Sequence, residues 1–377
     1  MSIYVDYAAT TPIDEEILKS MLDSAGKFGN PSSIHRIGKE AKAFYETSRK
    51  MIAKRLNAYP DEIVFTGSAT EANNTVIKSA AGFYNKPHII TTKVEHASVK
   101  ETYAELEETC DVTYLNVDEN GQISIDELKS ALTEETKLVS IIMVNNETGT
   151  IQPMAEIAET MKDSTALLHV DAVQAFKQLP IDVEALNCDF LTMSGHKLHA
   201  PKGIGVLYVK RNTHLKRMIT GGSQERERRA GTENTLYAHA MMKAVEQADD
   251  KREENTEVLK TLKETLLTEL EKQEVPFEVN GDIHTQTNHI VNVYFPWSTS
   301  EYLLTAMDMA GIYASGGSAC NAGTVQPSHV IKAMYDENRA GSSIRFSFGE
   351  QLTEDDMKYI AEKLKTIYTG LSKHGFI

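Results

Sequence analysis

Cysteine is scarce in this sequence: Cys110, Cys188 and Cys320 are the three in 377 residues, and they lie far apart. Three scattered thiols argue against a disulfide framework and against a zinc ribbon. They leave an odd thiol that is either inert core or a nucleophile. Basic residues are also outnumbered, with 39 Lys and Arg against 54 Asp and Glu and a formal net charge of −15. A chain this acidic is a poor partner for nucleic acid through bulk electrostatics. Long apolar runs are missing too. Leu138–Val144 and Ile204–Val209 are the strongest, and both are far too short to span a bilayer. The amino terminus, MSIYVDYAATTP, has no basic stretch before an apolar core, and Asp6 sits where that core would lie. Repeats and low-complexity segments are not visible either. The expectation is a soluble, cytoplasmic protein with no membrane and no direct nucleic-acid contact. What is present is ordinary for a globular chain, 41% hydrophobic and 25% charged, at a length that suits two domains.

From about residue 14 to 210, short apolar runs alternate with amphipathic segments. Strands are expected at 62–66, 88–92, 112–117, 137–144, 166–170, 189–193 and 205–209. Several are near-continuous apolar runs, as for strands covered on both faces. Helices are expected between them at 38–56, 97–109 and 124–132, the last opening on the capping box Ser124-Ile-Asp-Glu127. This alternation predicts an α/β fold with a mainly parallel sheet flanked by helices. After Gly231 the texture changes. Residues 233–274 are helix-forming, with a charged centre at 248–257 that reads as a bend between domains. Sparse strands (277–279, 289–295, 344–348) and helices (300–309, 327–334, 353–368) then suggest a smaller α+β unit. The expected organisation is a large domain over 15–255 and a small one over 256–377 carrying the Cys320 loop. Residues 1–14 are expected to pack with the small domain.

Chemistry-bearing residues cluster at predicted strand ends, where open α/β sheets bind ligands. Met193-Ser-Gly-His-Lys197 places a lysine there, where burial would lower its pKa and free an amine; a surface loop lysine is the bland reading. His169-Val-Asp-Ala-Val-Gln174 offers Asp171 to a heteroaromatic nitrogen and Gln174 to a neighbouring oxygen, or else a capping aspartate. A metal set of His169, Asp171, His96 and Glu95 matches no compact zinc spacing, and no metal is expected. Thr66-Gly-Ser-Ala-Thr-Glu-Ala-Asn-Asn74 is a strand, a small-residue turn and a helix start. It could cradle a phosphate at Ala69 and Thr70, but lacks the P-loop lysine and the GxGxxG pattern. His96, in Val94-Glu-His-Ala-Ser98, could stack on a planar cofactor, and Val144-Asn-Asn-Glu-Thr-Gly149 abruptly ends the most apolar strand. Cys320, in Tyr313-Ala-Ser-Gly-Gly-Ser-Ala-Cys-Asn-Ala-Gly323, is surrounded by small residues, which suits a thiol that must travel. Arg345, the one cation in Ser342-Ser-Ile-Arg-Phe-Ser-Phe348, could clamp a carboxylate. The mixed-sign run Gln224–Asn234 reads by itself as a salt-bridged loop.

Taken together and in this order, SGHK, HVDAVQ, VNNETG and GSAC resemble the NifS/IscS-type cysteine desulfurases, pyridoxal-phosphate enzymes of the class V aminotransferase family. The likeness runs nearly end to end, from Tyr4-Val-Asp-Tyr-Ala-Ala-Thr-Thr-Pro12 and Phe28-Gly-Asn-Pro-Ser-Ser33 to Ser343-Ile-Arg-Phe-Ser347. It implies a fold-type I homodimer that removes sulfur from L-cysteine, leaving alanine. By matching motif, Lys197 would carry the pyridoxal phosphate and act as base at the α-carbon. Asp171 would pair with the pyridinium nitrogen, Gln174 and Asn146 with the ring oxygen, and His96 would stack on the ring. Ala69, Thr70, Ser194 and His196 resemble the phosphate cradle, and Thr232 would reach the phosphate across the dimer. Arg345, with Asn146, would hold the substrate. Cys320 would take the sulfur as a persulfide and swing it to an acceptor protein, an iron–sulfur scaffold or a tRNA thiolase. GSATE and SGGSACNAG depart from the patterns commonest among such proteins, which bears on loop dynamics and acceptor choice. Cys110 and Cys188 are expected to be silent. Two other classes fit parts of the pattern: a different pyridoxal-phosphate enzyme on this fold, for which Cys320 would be dispensable, and a non-enzymatic α/β scaffold.

Overall fold

The computed structural model describes residues 2–317 and 326–373, so Cys320 lies outside the described residues. In chain order the strands are β1 (Ile3–Tyr4), β2 (Ile63–Thr66), β3 (His88–Thr92), β4 (Asp111–Leu115), β5 (Thr136–Ile142), β6 (Leu167–Asp171), β7 (Phe190–Ser194), β8 (Gly205–Val209), β9 (Glu278–Val279), β10 (Ile290–Tyr294), β11 (Ile312–Tyr313) and β12 (Ser343–Ser347). Among the described residues, seven of them form one sheet in the order β2-β8-β7-β6-β5-β3-β4. All neighbours are parallel except β8, which runs against both β2 and β7. Burial follows the apolar runs: β2, β7 and β8 are buried at every position, as strands covered on both faces must be.

Parallel strands need crossovers, and these deliver chemistry to the carboxyl edge of the sheet. β2 turns through Gly67 and Ser68 into the helix Ala69–Phe83, whose first turn is closed by the Ser68 hydroxyl accepting from Glu71 N. β3 leads to the helix Ala97–Leu106, capped by His96 itself. β6 ends on Asp171, and β7 ends on Ser194 with a short turn through Lys197. The large core gathers Ile63, Val139, Ile141, Val170, Leu191 and Val206 of these strands.

The helix-rich stretch bends at Lys251, between helices Thr235–Asp250 and Arg252–Lys272, inside the segment where the charge run predicted a break. A second hydrophobic cluster lies beyond it. The antiparallel sheet β12-β10-β9 packs on Leu259, Leu262 and Leu266 of the second helix and on Met357, Ile360 and Leu364 of the helix Glu354–Lys373. Ile3 and Val5 belong to this cluster. β1 pairs in parallel with β11, and Ser347 N donates to Val5 O. The amino-terminal segment then crosses to the large sheet, where Thr11 N donates to His196 O. It acts as a strap joining the two clusters.

The loop before Gly231 is held under strain. Glu225, Arg226 and Glu227 all have left-handed backbones, with φ of 48°, 55° and 64°, a conformation unfavourable for side chains with a Cβ. What holds it is a buried ion pair. Arg49 Nη1 and Nη2 each lie 2.7 Å from a Glu225 carboxylate oxygen, with both side chains 2–3% exposed. Glu225 also accepts from Tyr45 Oη at 2.6 Å and from Phe65 N at 2.8 Å, so its lone pairs are well used. Removing one partner leaves a buried, uncompensated charge. Arg49→Met is therefore expected to lower the unfolding free energy by about 3–5 kcal/mol in urea titrations; a loss under about 1 kcal/mol would place the stability of this loop elsewhere.

Candidate active site

The carboxyl edge of the sheet, the strap and β12 enclose a cavity of about 260 Å³. Its floor and walls include Lys197, Asp171, His96 and Gln174, with Asn146 and Arg345 facing them. Ala69, Thr70, Ser194 and His196 complete one end. Thus ten of the residues singled out in the sequence line one space. Thr232 does not: it is exposed on the loop after the strained turn. A wider groove of about 900 Å³ elsewhere carries Glu134, Glu156, Glu159 and Asp163 around Lys129, and none of the motif residues.

Each side chain is held in a definite way. Lys197 Nζ donates to Ala8 O at 2.5 Å and Ala9 O at 2.7 Å, both on the strap. Asp171 is 3% exposed; one oxygen accepts from Val173 N at 3.0 Å and the other from Asn73 Nδ2 at 2.8 Å. His96 Nδ1 accepts from Ser98 N at 3.1 Å, which leaves the ring proton on Nε2 in the neutral form. The neutral form is favoured, because burial, chiefly, and then Lys197 lower its pKa against the opposing pull of Asp171. Behind it, burial raises the Glu95 carboxyl to about 8. His196 bonds Thr10 Oγ1 at 3.2 Å and is pushed down to about 4, again chiefly by burial.

The two asparagines of Val144-Asn-Asn divide their work. Asn145 builds the turn, its Oδ1 accepting from Glu147 N and Thr148 N. Asn146 faces the cavity. Arg345 Nη1 donates to Asn146 O at 2.9 Å and Nη2 to Asp6 Oδ1 at 2.6 Å. Asn146 Oδ1 and Arg345 Nε are buried and have no hydrogen-bond partner among the described residues. Both side chains line the cavity, and a guanidinium there suits a polar, partly anionic occupant. The helix start at Ala69 and Thr70 adds a second anion-favouring element. Close approach there depends on Gly205, since a Cβ at that position would meet Ser68 C at 2.8 Å.

Several contributors were not singled out by motif. Asn73 bridges Asp171 and Ser98 Oγ (3.0 Å), and Ser98 Oγ lies 2.8 Å from His96 Nδ1. A signal existed: Asn73 falls on the buried helix face with Ala72, Val76, Ile77 and Ala80, where a polar residue demands an explanation. Asp6, Ala8 and Ala9 had no such signal. His169, by contrast, lies inside the sheet between Ser140 Oγ and Thr192 Oγ1. Among the described residues no group of three His, Cys, Asp or Glu side chains could hold a metal ion. Cys110 and Cys188 are buried, and burial pushes the Cys188 thiol well up.

Burial holds His169 and His289 neutral, each lowered to about 3. An unfolded chain binds these protons near pH 6.5, so the stabilisation is complete above that pH and is lost as pH falls toward 3. Urea unfolding at pH 5 should therefore show about 2 kcal/mol less stability per buried histidine than at pH 7. His169→Gln should flatten that dependence, and an unchanged slope would contradict the assignment.

The comparisons agree with this geometry. The aminotransferase class-V profile matches residues 3–360. The IscS 1 relative from Bacillus subtilis (strain 168) is 44% identical over 377 residues, covering 98% of this chain and 99% of that protein. Cysteine desulfurase IscS of Dictyoglomus turgidum is 40% identical, covering 97% and 96%. Among solved structures, a NifS-like protein superimposes with a TM-score of 0.92 at 34% identity, covering 98% of this chain and all of that one. SspA, solved in complex with cysteine, superimposes with a TM-score of 0.82 at 35% identity, covering 92% and 99%. The chain belongs to the class-V aminotransferase family, among its IscS and NifS-like cysteine desulfurases.

Proposed function

We propose that this cavity binds pyridoxal phosphate and desulfurates L-cysteine, giving L-alanine and leaving the sulfur on Cys320. The observation that carries the reading is the convergence of Lys197, Asp171, His96, Gln174 and Arg345 on one cavity. The residues fit that cofactor. Asp171, buried and held from two sides, would hold a proton on the pyridinium nitrogen; His96 would cover the ring. Gln174 and Asn146 would meet the ring oxygen. Ala69, Thr70, Ser194 and His196 would take the phosphate, and Lys197 would hold the aldehyde carbon. When bound, the cofactor supplies the electron sink that lets the substrate's α-carbon give up its proton.

The chain's own groups do the rest. Arg345, fixed by Asp6 and the Asn146 carbonyl, orients the substrate carboxylate. Lys197 moves the proton at the α-carbon. The Cys320 thiolate donates an electron pair to the substrate sulfur, so that an S–S bond forms as the C–S bond breaks. The released carbon takes a proton. Cysteine plus a protein thiol thus becomes alanine plus a protein persulfide, with no external oxidant.

The persulfide passes to an acceptor protein, an iron–sulfur scaffold or a tRNA thiolase. A cytoplasmic location belongs to the same reading, since a sulfur-carrying thiolate needs a reducing compartment. So does a homodimer in which Thr232 reaches the partner's phosphate site. Support comes from its exposure and from exposed apolar residues at Leu22, Phe28 and Ile34. The division at 15–255 and 256–377, with 1–14 attached to the smaller unit, is supported by the two hydrophobic clusters.

Cys320→Ala is expected to retain the bound cofactor's yellow colour and to lose alanine formation from L-cysteine by at least about 100-fold, as for removal of a nucleophile. Alanine released at the full rate by the variant would refute the persulfide route.

A further inference from the structure

Gln174 is held from behind by a histidine of the smaller cluster. Its Nε2 donates to Ala8 O at 2.9 Å, and its Oε1 lies 3.2 Å from His289 Nε2. The orientation of the amide follows from chemistry. Ala8 O can only accept, and it already accepts from Lys197 Nζ, so the NH2 group must face it. The Gln174 oxygen therefore faces His289, and His289 must carry its proton on Nε2. The other ring nitrogen is then an acceptor, matched by Thr287 Oγ1 at 2.9 Å. Thr287's hydroxyl also lies 3.3 Å from Gly149 O, the longer of its two contacts. His289 is buried, and burial holds it neutral, so with these partners the ring carries one proton, on Nε2.

We infer that His289 is a positioning residue: by donating to Gln174 Oε1 it reinforces the orientation that Ala8 O sets, in which Gln174 presents its second N–H to the ligand in the cavity. With one N–H used by Ala8 O and one lone pair of Oε1 used by His289, the second N–H is the donor that Gln174 has left for the cavity. That selects an acceptor oxygen on the ligand. The His289 backbone is itself pinned, since Phe348 N donates to His289 O at 2.8 Å. The crevice between His289, Gln174 and Lys197 measures about 10 Å³, at the lower limit for a single water. Solvent therefore has little room to replace the histidine. The relay Thr287–His289–Gln174–Ala8–Lys197 ties the start of the central strand of the smaller sheet to Lys197.

The inference rests on the cofactor reading above, and the test separates the two. First, long-range 1H–15N spectra of the cofactor-free chain should show His289 as the neutral Nε2–H tautomer; an Nδ1–H or charged ring would overturn the proposal without reference to any cofactor. Second, pyridoxal phosphate is titrated into cofactor-free wild type, His289→Leu, His289→Gln and Thr287→Val. Failure of the wild type to bind it would sink the cofactor reading itself. With the wild type bound, His289→Leu should weaken binding roughly tenfold, the cost of about one lost hydrogen bond, and shift the visible absorption band. His289→Gln, which keeps a donor near the same place, should restore both, and Thr287→Val, which frees the tautomer, should fall between. Equal affinities and bands for the leucine and glutamine variants, or a leucine variant equal to wild type, would overturn it. Should the leucine variant fail to fold, Thr287→Val and the tautomer measurement decide the question alone.

Discussion

The arrangement depends on one backbone carbonyl, Ala8 O. It accepts from Lys197 Nζ and from the Gln174 amide, and so sets the position of two groups that otherwise belong to separate loops. Ala8 is not placed by its own neighbours. Its N–H donates to Ser347 Oγ at 2.9 Å, and two residues earlier Asp6 holds Arg345. The strap is therefore fixed by β12 and in turn fixes the edge of the large sheet. An acceptor for a lysine that came from one flexible loop would wander. One that is laced between two hydrophobic clusters inherits the rigidity of both.

The same logic explains why so many polar groups in this region are buried without being charged. His96, His169, His196 and His289 are all displaced toward neutrality by burial, and the Glu95 carboxyl is raised toward its protonated form. In a low-dielectric setting a neutral donor or acceptor of fixed direction is cheap to hold, whereas an unpaired ion is not. Beside them stand two largely buried ion pairs: Arg345 with Asp6, and Lys177 with Glu350, with His199 next to the latter. Of these, the Arg345 guanidinium lines the cavity, where a carboxylate would meet it, and orientation around it is supplied largely by neutral hydrogen bonds.

Much of this was legible in the sequence. Apolar runs such as Thr136–Ile142 announce buried parallel strands because both faces of such strands are covered. Polar residues directly after them stand at the ligand-binding edge for a topological reason, which is why Asp171, Lys197 and Asn146 could be picked out. What escaped was long-range. Ile3–Tyr4 pairs with Ile312–Tyr313, some three hundred residues away, and a two-residue strand has no period to detect. His289 at the start of β10 and Asn73 within a helix matter only through what they touch. Asn73 alone left a trace, as a polar residue on an apolar helix face.

The central claim is that this site moves sulfur from L-cysteine onto Cys320 and onto no other cysteine of the chain. The most direct measurement is peptide mass spectrometry of the cofactor-loaded protein after brief exposure to L-cysteine and alkylation. The account predicts one added sulfur atom on the peptide containing Cys320, and unmodified sulfur content on those containing the buried Cys110 and Cys188. Added sulfur on either of the latter, or none on Cys320 while alanine accumulates, would contradict it.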